Sequence, residues 1–301
     1  GEKERADYLE KVLRGIGFDE IKRLDVKDEL GYIRPNIIAL IKGKEGRKTL
    51  WLAAHIDTVP EGDRSLWKTD PFTAVVEGDR IYGRGTADDG QAVVSSIYAL
   101  KALKESGIKP KGNVGVMLLA DEEVGSRYGM HYVLENYPFG KDDEFIVPDA
   151  GNSKGDEIEI AEKGLLWICI KVVGKQGHGS RPDLSLNANR IGMKLALSID
   201  ERLHFRFTST DSIFVPPYST FEPTKREPNV QNINTIPGTD VFCFDCRILP
   251  SYRVDDVLGE IKDEAEHFER KFGVKVELNV VQKSDPAPAS DPNSEVIVKL
   301  K

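Results

Sequence analysis

The stretch Leu50-Trp51-Leu52-Ala53-Ala54-His55-Ile56-Asp57-Thr58-Val59-Pro60 decides the fold. It begins as a short apolar run of strand type and breaks off in a histidine and an aspartate two residues apart, closed by a proline. A buried strand needs neither His nor Asp at its end. Open α/β sheets, by contrast, carry their chemistry at the carboxyl ends of strands. Residues i and i+2 of a strand point to the same side. Asp57 can therefore reach the ring that His55 offers to a metal, fixing its tautomer and raising its basicity. A polar strand end with no ligand would show the same pattern, so the neighbouring segments have to decide.

Working outward, Tyr8, Leu9, Val12, Leu13 and Ile16 share one face of a helix that Gly17 closes. Residues 37–41 form another apolar run. A hairpin is expected from 72–76 and 80–82, turned by 77–79. The glycine-rich loop 83–90 leads into a helix over 92–103. A buried strand over 113–120 ends in Asp121-Glu122-Glu123, a helix follows over 127–136, and a strand over 145–147 ends in Pro148-Asp149. Strands alternating with helices predict an α/β domain with a mostly parallel sheet and helices on both faces. Three strand ends carry acids or His, and on one sheet edge they would meet in one crevice.

From residue 165 the rhythm changes. Strands over 165–174, 240–249 and 274–281, helices over 187–203 (capped by Ser185) and 255–272, and one more strand from 230–236 give the order β-α-β-β-α-β. That order is the ferredoxin-like α+β pattern. The proline-rich run 283–289 reads as a semi-rigid linker. The expected division is a metal-binding catalytic domain over 1–164, an inserted domain over 165–283, and the start of a return to the first domain over 284–301. Both ends read as cut inside elements.

The chain has 301 residues, 40% hydrophobic and 31% charged, long enough for two domains. A net charge of −8 argues against a nucleic-acid or anionic-membrane surface. No run approaches the ~20 apolar residues of a membrane span, and the charged N-terminus lacks the apolar region of a signal peptide. Three cysteines make no disulfide framework. They read as packed thiols in a reducing cytosol, so a cytoplasmic location is expected.

A hydrolytic two-metal site needs His and carboxylate ligands, a bridging carboxylate and a free acid beside the water. His55 supplies a ligand supported by Asp57. Asp88 lies in a loop where backbone can crowd a metal. Glu122 and Glu123, adjacent at a strand end, can divide the labour of base and ligand, and Asp149 is a further strand-end carboxylate. Along Val241–Leu249, Phe242, Phe244, Cys246 and Ile248 share one face, leaving Asp245 and Arg247 on the other.

These residues sit in Ala54-His55-Ile56-Asp57-Thr58-Val59-Pro60, Gly83-Arg84-Gly85-Thr86-Ala87-Asp88-Asp89, Asp121-Glu122-Glu123-Val124-Gly125-Ser126 and Asp149. Beyond them come Gly177-His178-Gly179-Ser180-Arg181-Pro182, Asn234-Thr235-Ile236-Pro237 and Asp245-Cys246-Arg247-Ile248-Leu249-Pro250. In this order they resemble the co-catalytic dinuclear zinc exopeptidases and deacylases. That family includes aminoacylase, carnosinase, carboxypeptidase G, acetylornithine deacetylase and succinyl-diaminopimelate desuccinylase.

The resemblance implies two divalent ions per subunit, zinc with cobalt or manganese as substitutes. His55 and Asp149 would hold one and Glu123 the other. Asp88 would bridge them, with a cis peptide to Asp89, and Glu122 would be general acid/base. It implies that the inserted domain is a dimerising lid, that its His178 stabilises the oxyanion in the other subunit of a homodimer, and that Asn234 and Arg247 hold a substrate carboxylate. Substrates would be small peptides or acyl-amino acids. Asp149, rather than Glu, leans toward the peptidases. Two departures stand out. Gly90-Gln91 replaces the family's usual Lys-Gly, and the family's last histidine ligand lies beyond residue 301. His131, His204 and His267 do not replace it by motif and read as surface residues. An incomplete, non-catalytic dimerising or amino-acid-binding module is the alternative from another class. Asp142, Asp143 and Asp156 are rivals to Asp149 placed in charged loops.

Overall fold

The computed structural model describes residues 2–152 and 154–301, in two compact units, Gly1–Glu157 and Ile158–Lys301. Gly1, part of the charged N-terminal stretch, lies outside the described residues.

The first unit runs α1 (Glu2–Ile16), β1 (Glu20–Lys27), β2 (Ile33–Ile41), β3 (Thr49–His55), β4 (Val75–Glu77), β5 (Arg80–Tyr82), α2 (Gly90–Glu105), β6 (Asn113–Leu119), α3 (Met130–Asn136) and β7 (Glu144–Ile146). Five strands form one sheet in the order β1-β2-β6-β3-β7. The sheet is mixed, which corrects the expectation of a mostly parallel one. β3 runs parallel to β6 and β7, whereas β1–β2 and β2–β6 are antiparallel. The link from Lys27 to Ile33 is too short for a crossover, so β1 and β2 must run antiparallel. β1 itself escaped the sequence reading because it is an edge strand dominated by charged residues.

β2 explains the continuous apolar run. Ile37, Ala39 and Ile41 face a core shared with α1 and α2, while Ile38 and Leu40 face Trp51, Met117 and Val133 of α3. Helices thus cover both faces of the sheet. Asp143, a rival to Asp149, is occupied in this frame, accepting from the Thr49 amide and the Trp51 indole at 2.8 and 2.9 Å.

The second unit runs β8 (Gly164–Val173), β9 (Gly177–His178), α4 (Ala188–Arg206), β10 (Thr220–Arg226), β11 (Thr235–Ile236), β12 (Thr239–Ile248), α5 (Val254–Phe272), β13 (Lys275–Ser284) and α6 (Glu295–Leu300). Its sheet is antiparallel in the order β10-β12-β8-β13, the ferredoxin-like topology. Phe242, Phe244, Cys246 and Ile248 of β12 pack with Ile191, Leu195, Ile199 and Leu203 of α4 and Val257 and Ile261 of α5. Each such side chain, fully buried, contributes about 1.5–3 kcal/mol.

Three local expectations are corrected. The additional strand of the four-stranded sheet is Thr220–Arg226; of 230–236 only Thr235–Ile236 is a strand, and it pairs with β9 instead. The proline and charges of Thr220–Arg226 mark an edge strand, and Phe221 is the residue it buries. The cap of α4 is Asn187, whose side chain accepts from the Arg190 amide. Cys169 and Cys243 are not packed thiols but a disulfide, because β8 and β12 pair them face to face. Cys246 is free and buried, and burial pushes its thiol up to about 12. With that disulfide, the cysteines no longer argue for a reducing compartment. Among the described residues no helix is long and apolar enough to cross a membrane.

Candidate metal centre

β3 delivers His55 to its carboxyl end, where the residue is only 3% exposed. Nδ1 donates to Asp57 Oδ1 at 3.2 Å, leaving Nε2 free to bind a cation. Nε2 stands 2.9 Å from Asp88 Oδ1, 3.7 Å from Asp149 Oδ2 and 3.9 Å from Glu122 Oε2. Asp57 also accepts from the amides of Glu122 and Glu123 at 3.1 and 3.0 Å, tying the ends of β3 and β6 together.

Asp121 precedes that pair in a left-handed conformation, φ 65°, which is uncommon for a residue other than glycine. Its carboxylate is fixed by the Tyr128 amide. The turn divides the two glutamates: Glu122 approaches His55, and Glu123 accepts from the Val59 amide at 3.1 Å.

Asp88 comes from the loop before α2, and its peptide bond to Asp89 is cis. The loop closes tightly. A Cβ on Gly85 would lie 2.5 Å from Thr58 Cγ2, and one on Gly90 2.3 Å from the Gly85 carbonyl oxygen. Asp89 is the residue the sequence reading missed as a functional candidate. It stands at the N-cap position of α2 but makes no side-chain cap bond. Instead its Oδ2 accepts from the His55 amide at 2.9 Å, and its Oδ1, buried, has no partner among the described residues. The only signal in the sequence was the doublet Asp88-Asp89.

The acids crowd one another. Burial raises Glu122, with Asp149 adding to it against the pull of His55. Burial and then Asp88 raise Glu123. Asp149 is likewise raised by burial and by Asp88, and Asp89 is pushed up to about 6 by burial, against the hydrogen bond from the His55 amide. Burial works against the charged His55, but the bond to Asp57 and the surrounding carboxylates outweigh it and lift its pKa to about 9. Asp57 is held low: the bonds from His55 and the two glutamate amides overcome its burial. Arg5 of α1 approaches from behind. Burial lowers its pKa, while Asp89 and Asp57 work the other way.

Ligand atoms of His55, Asp88 and Glu123 lie within 4.8 Å of one another, as do those of His55, Asp89 and Asp149. One imidazole among carboxylates is a donor set for a borderline divalent cation. The orphaned Asp89 oxygen is an acceptor awaiting positive charge, so these residues fit a metal. His131, His204 and His267 join neither group.

The remaining candidates belong to the second unit. His178 and Asn234 are neighbours there: β9 pairs with β11, and the Gly179 amide donates to the Asn234 carbonyl at 2.7 Å. His178 Nδ1 lies 2.8 Å from Ser180 Oγ. Arg247 is exposed on β12, opposite the buried phenylalanine face. It holds Asp245 through Nε and Nη2 at 2.8 and 3.1 Å.

An uncharacterized metallohydrolase of Methanocaldococcus jannaschii is 41% identical over 320 aligned residues, which cover 100% of this chain and 77% of that protein. A succinyl-diaminopimelate desuccinylase of Orientia tsutsugamushi is 27% identical over 76% of this chain and 59% of its own. Among solved structures, the M20 family metallo-carboxypeptidase Sso-CP2 from Sulfolobus solfataricus shares the fold with a TM-score of 0.75 at 22% identity. That match covers 99% of this chain and 77% of the other. The description Peptidase family M20/M25/M40 matches residues 51–301. The His/carboxylate centre at the end of β3 therefore sits in a metallohydrolase frame, and the chain belongs to peptidase family M20/M25/M40.

Proposed function

We propose that this chain hydrolyses an amide bond next to a free carboxylate, with di- or oligopeptides as substrates in an exopeptidase reaction. The observation that carries the reading is the convergence on His55 Nε2 of Asp88, Asp149 and Glu122 from separate loops. His55, Asp88, Glu123 and Asp149 would hold two divalent ions, for which zinc, cobalt and manganese all suit the His/carboxylate donor set. Such a pair, when bound, polarises the scissile carbonyl and acidifies the attacking water. Asp57 keeps the His55 ring turned, with its proton on Nδ1. Glu122, which reaches the site without being needed as a ligand, takes the proton of the attacking water on its carboxylate and returns it to the leaving amine.

His178, Asn234 and Arg247 are proposed to meet the substrate from the second unit, acting as a dimerising lid. His178 would stabilise the oxyanion of a partner subunit's reaction. Asn234 and Arg247 would hold the substrate carboxylate, and Arg247 keeps Nη1 for it while Asp245 occupies its other edge. Deacylation of N-acyl-amino acids is the second reading, favoured by the relative named a desuccinylase.

The test is Glu122→Ala on the full chain, with metal content read by elemental mass spectrometry. Turnover of dipeptides should fall by about 10²–10⁴-fold with metal retained. Turnover of N-succinyl or N-acetyl amino acids alone would move the substrate to the second reading. No turnover of either class by the unsubstituted chain with metal bound would favour a binding module.

A further inference from the structure

We infer that Arg5 is a positioning residue of the metal centre, acting from helix α1 on both segments that carry the ligands; this rests on the metal-site reading above. Arg5 Nη1 donates to the carbonyl of Ile56 at 2.9 Å. That carbonyl belongs to the one residue between His55 and Asp57, so its orientation sets the directions in which both side chains leave the end of β3. The same guanidinium reaches the second segment. Its Nη2 stands 3.5 Å from the place a Cβ on Gly90 would take, immediately after Asp88 and Asp89. Asp89 and Asp57, the two acids that brace His55 through its amide and its ring, are the charges Arg5 feels.

Anchoring α1 does not require this arginine. Ala6, Leu9 and Leu13 already bury the inner face of the helix. Arg23 of β1 ties the helix down through Asp7 and Glu10 at 2.6 and 3.1 Å. A half-buried guanidinium costs desolvation that an apolar residue in its place would avoid. What the arginine adds is a planar donor and a fixed positive charge behind the carboxylates.

The experiment measures binding of zinc, and of cobalt(II) by its visible spectrum, to the metal-free full chain by competition with a chelator. Arg5→Gln and Arg5→Lys are compared with the unsubstituted chain, and melting of each is followed without metal. Loss of an outer partner of a ligand typically costs ten- to a hundredfold in metal affinity. Arg5 bonds the backbone between His55 and Asp57 rather than a ligand side chain, so the lower end, about tenfold, is expected for Arg5→Gln, with metal-free melting little changed. Arg5→Lys, which keeps the charge and one donor, should recover most of the affinity yet show an altered cobalt spectrum. If Arg5→Gln does not fold, the lysine variant decides: native affinity with a native spectrum overturns the inference. Native affinity in Arg5→Gln overturns it as well, as does a loss of melting stability in both variants that accounts for their metal loss. An unsubstituted chain that binds neither ion would overturn the metal-site reading itself, and this inference with it.

Discussion

Asp89 in the first unit and Asp240 in the second are both sealed from solvent, at 0% and 1% exposure, and their surroundings differ sharply. Asp240 Oδ2 accepts from the Arg226 guanidinium and Oδ1 from the Asn229 amide, so both its oxygens are satisfied within the chain. Asp89 receives the His55 amide on one oxygen and, among the described residues, no hydrogen bond on the other. A buried carboxylate is tolerated only when paired and hydrogen-bonded. The Asp240 pair is therefore a stability element, complete by itself. The Asp89 group, with the Arg5 charge nearby but one oxygen left without a hydrogen-bond partner among the described residues, is incomplete, which is how a site differs from a core.

The largest expected effect breaks the complete pair. Arg226→Ala should leave Asp240 buried with Asn229 alone. Removing one member of a buried pair costs about 3–5 kcal/mol, and the half-exposed Arg226 side chain places the effect at the lower end. Hydrogen exchange should show β10 and β12 losing protection, with no recovery on adding zinc. Recovery with zinc would mean that the second unit's charge is not self-contained and the contrast is false.

The same contrast governs what the sequence could reveal. The residues of the centre that stand at strand ends, His55, Asp57, Glu122, Glu123 and Asp149, were legible because each interrupts an apolar run. The β12 face was legible because Phe242, Phe244, Cys246 and Ile248 alternate with Asp245 and Arg247. β1 and β10 were not, since edge strands carry charges and, in β10, a proline, and so imitate loops. The Cys169–Cys243 pairing depends on the register of two strands far apart in the chain, which no local pattern encodes. The antiparallel half of the first sheet was hidden because β1 imitates a loop and because β2 and β6 lie far apart in the chain. Asp89 was visible as half of a doublet, but its burial, and the approach of Arg5 from helix α1, exist only in three dimensions.

The next effect turns to the incomplete group. Asp89→Asn keeps a carbonyl oxygen for the His55 amide and removes the charge. Without metal, hydrogen exchange in β3 and α2 should stay near the unsubstituted level. Metal affinity should fall about ten- to a hundredfold, roughly 1.4–2.7 kcal/mol. If metal-free protection instead fell as far as it does in the second unit on Arg226→Ala, Asp89 would be an ordinary structural acid.

The smallest effect compares the two residues as helix caps, since Asp89 and Asn187 occupy the same position at the starts of α2 and α4. Asn187 uses its side chain as a cap, accepting from the Arg190 amide at 3.0 Å. Asn187→Ala should therefore cost about 1 kcal/mol in denaturant unfolding of the second unit. The loss is limited because α4 is held chiefly by Ile191, Leu195, Ile199 and Leu203. Ser185→Ala should cost less, because the hydrogen bonds of Ser185 Oγ among the described residues are long, at 3.4 and 3.5 Å to the carbonyls of Arg181 and Pro182. Asp89 has the residue type of a good cap and spends it elsewhere, so its replacement should cost α2 no cap energy at all. An aspartate at the head of a helix that declines to cap it is held there by something else, and here that is the backbone of His55.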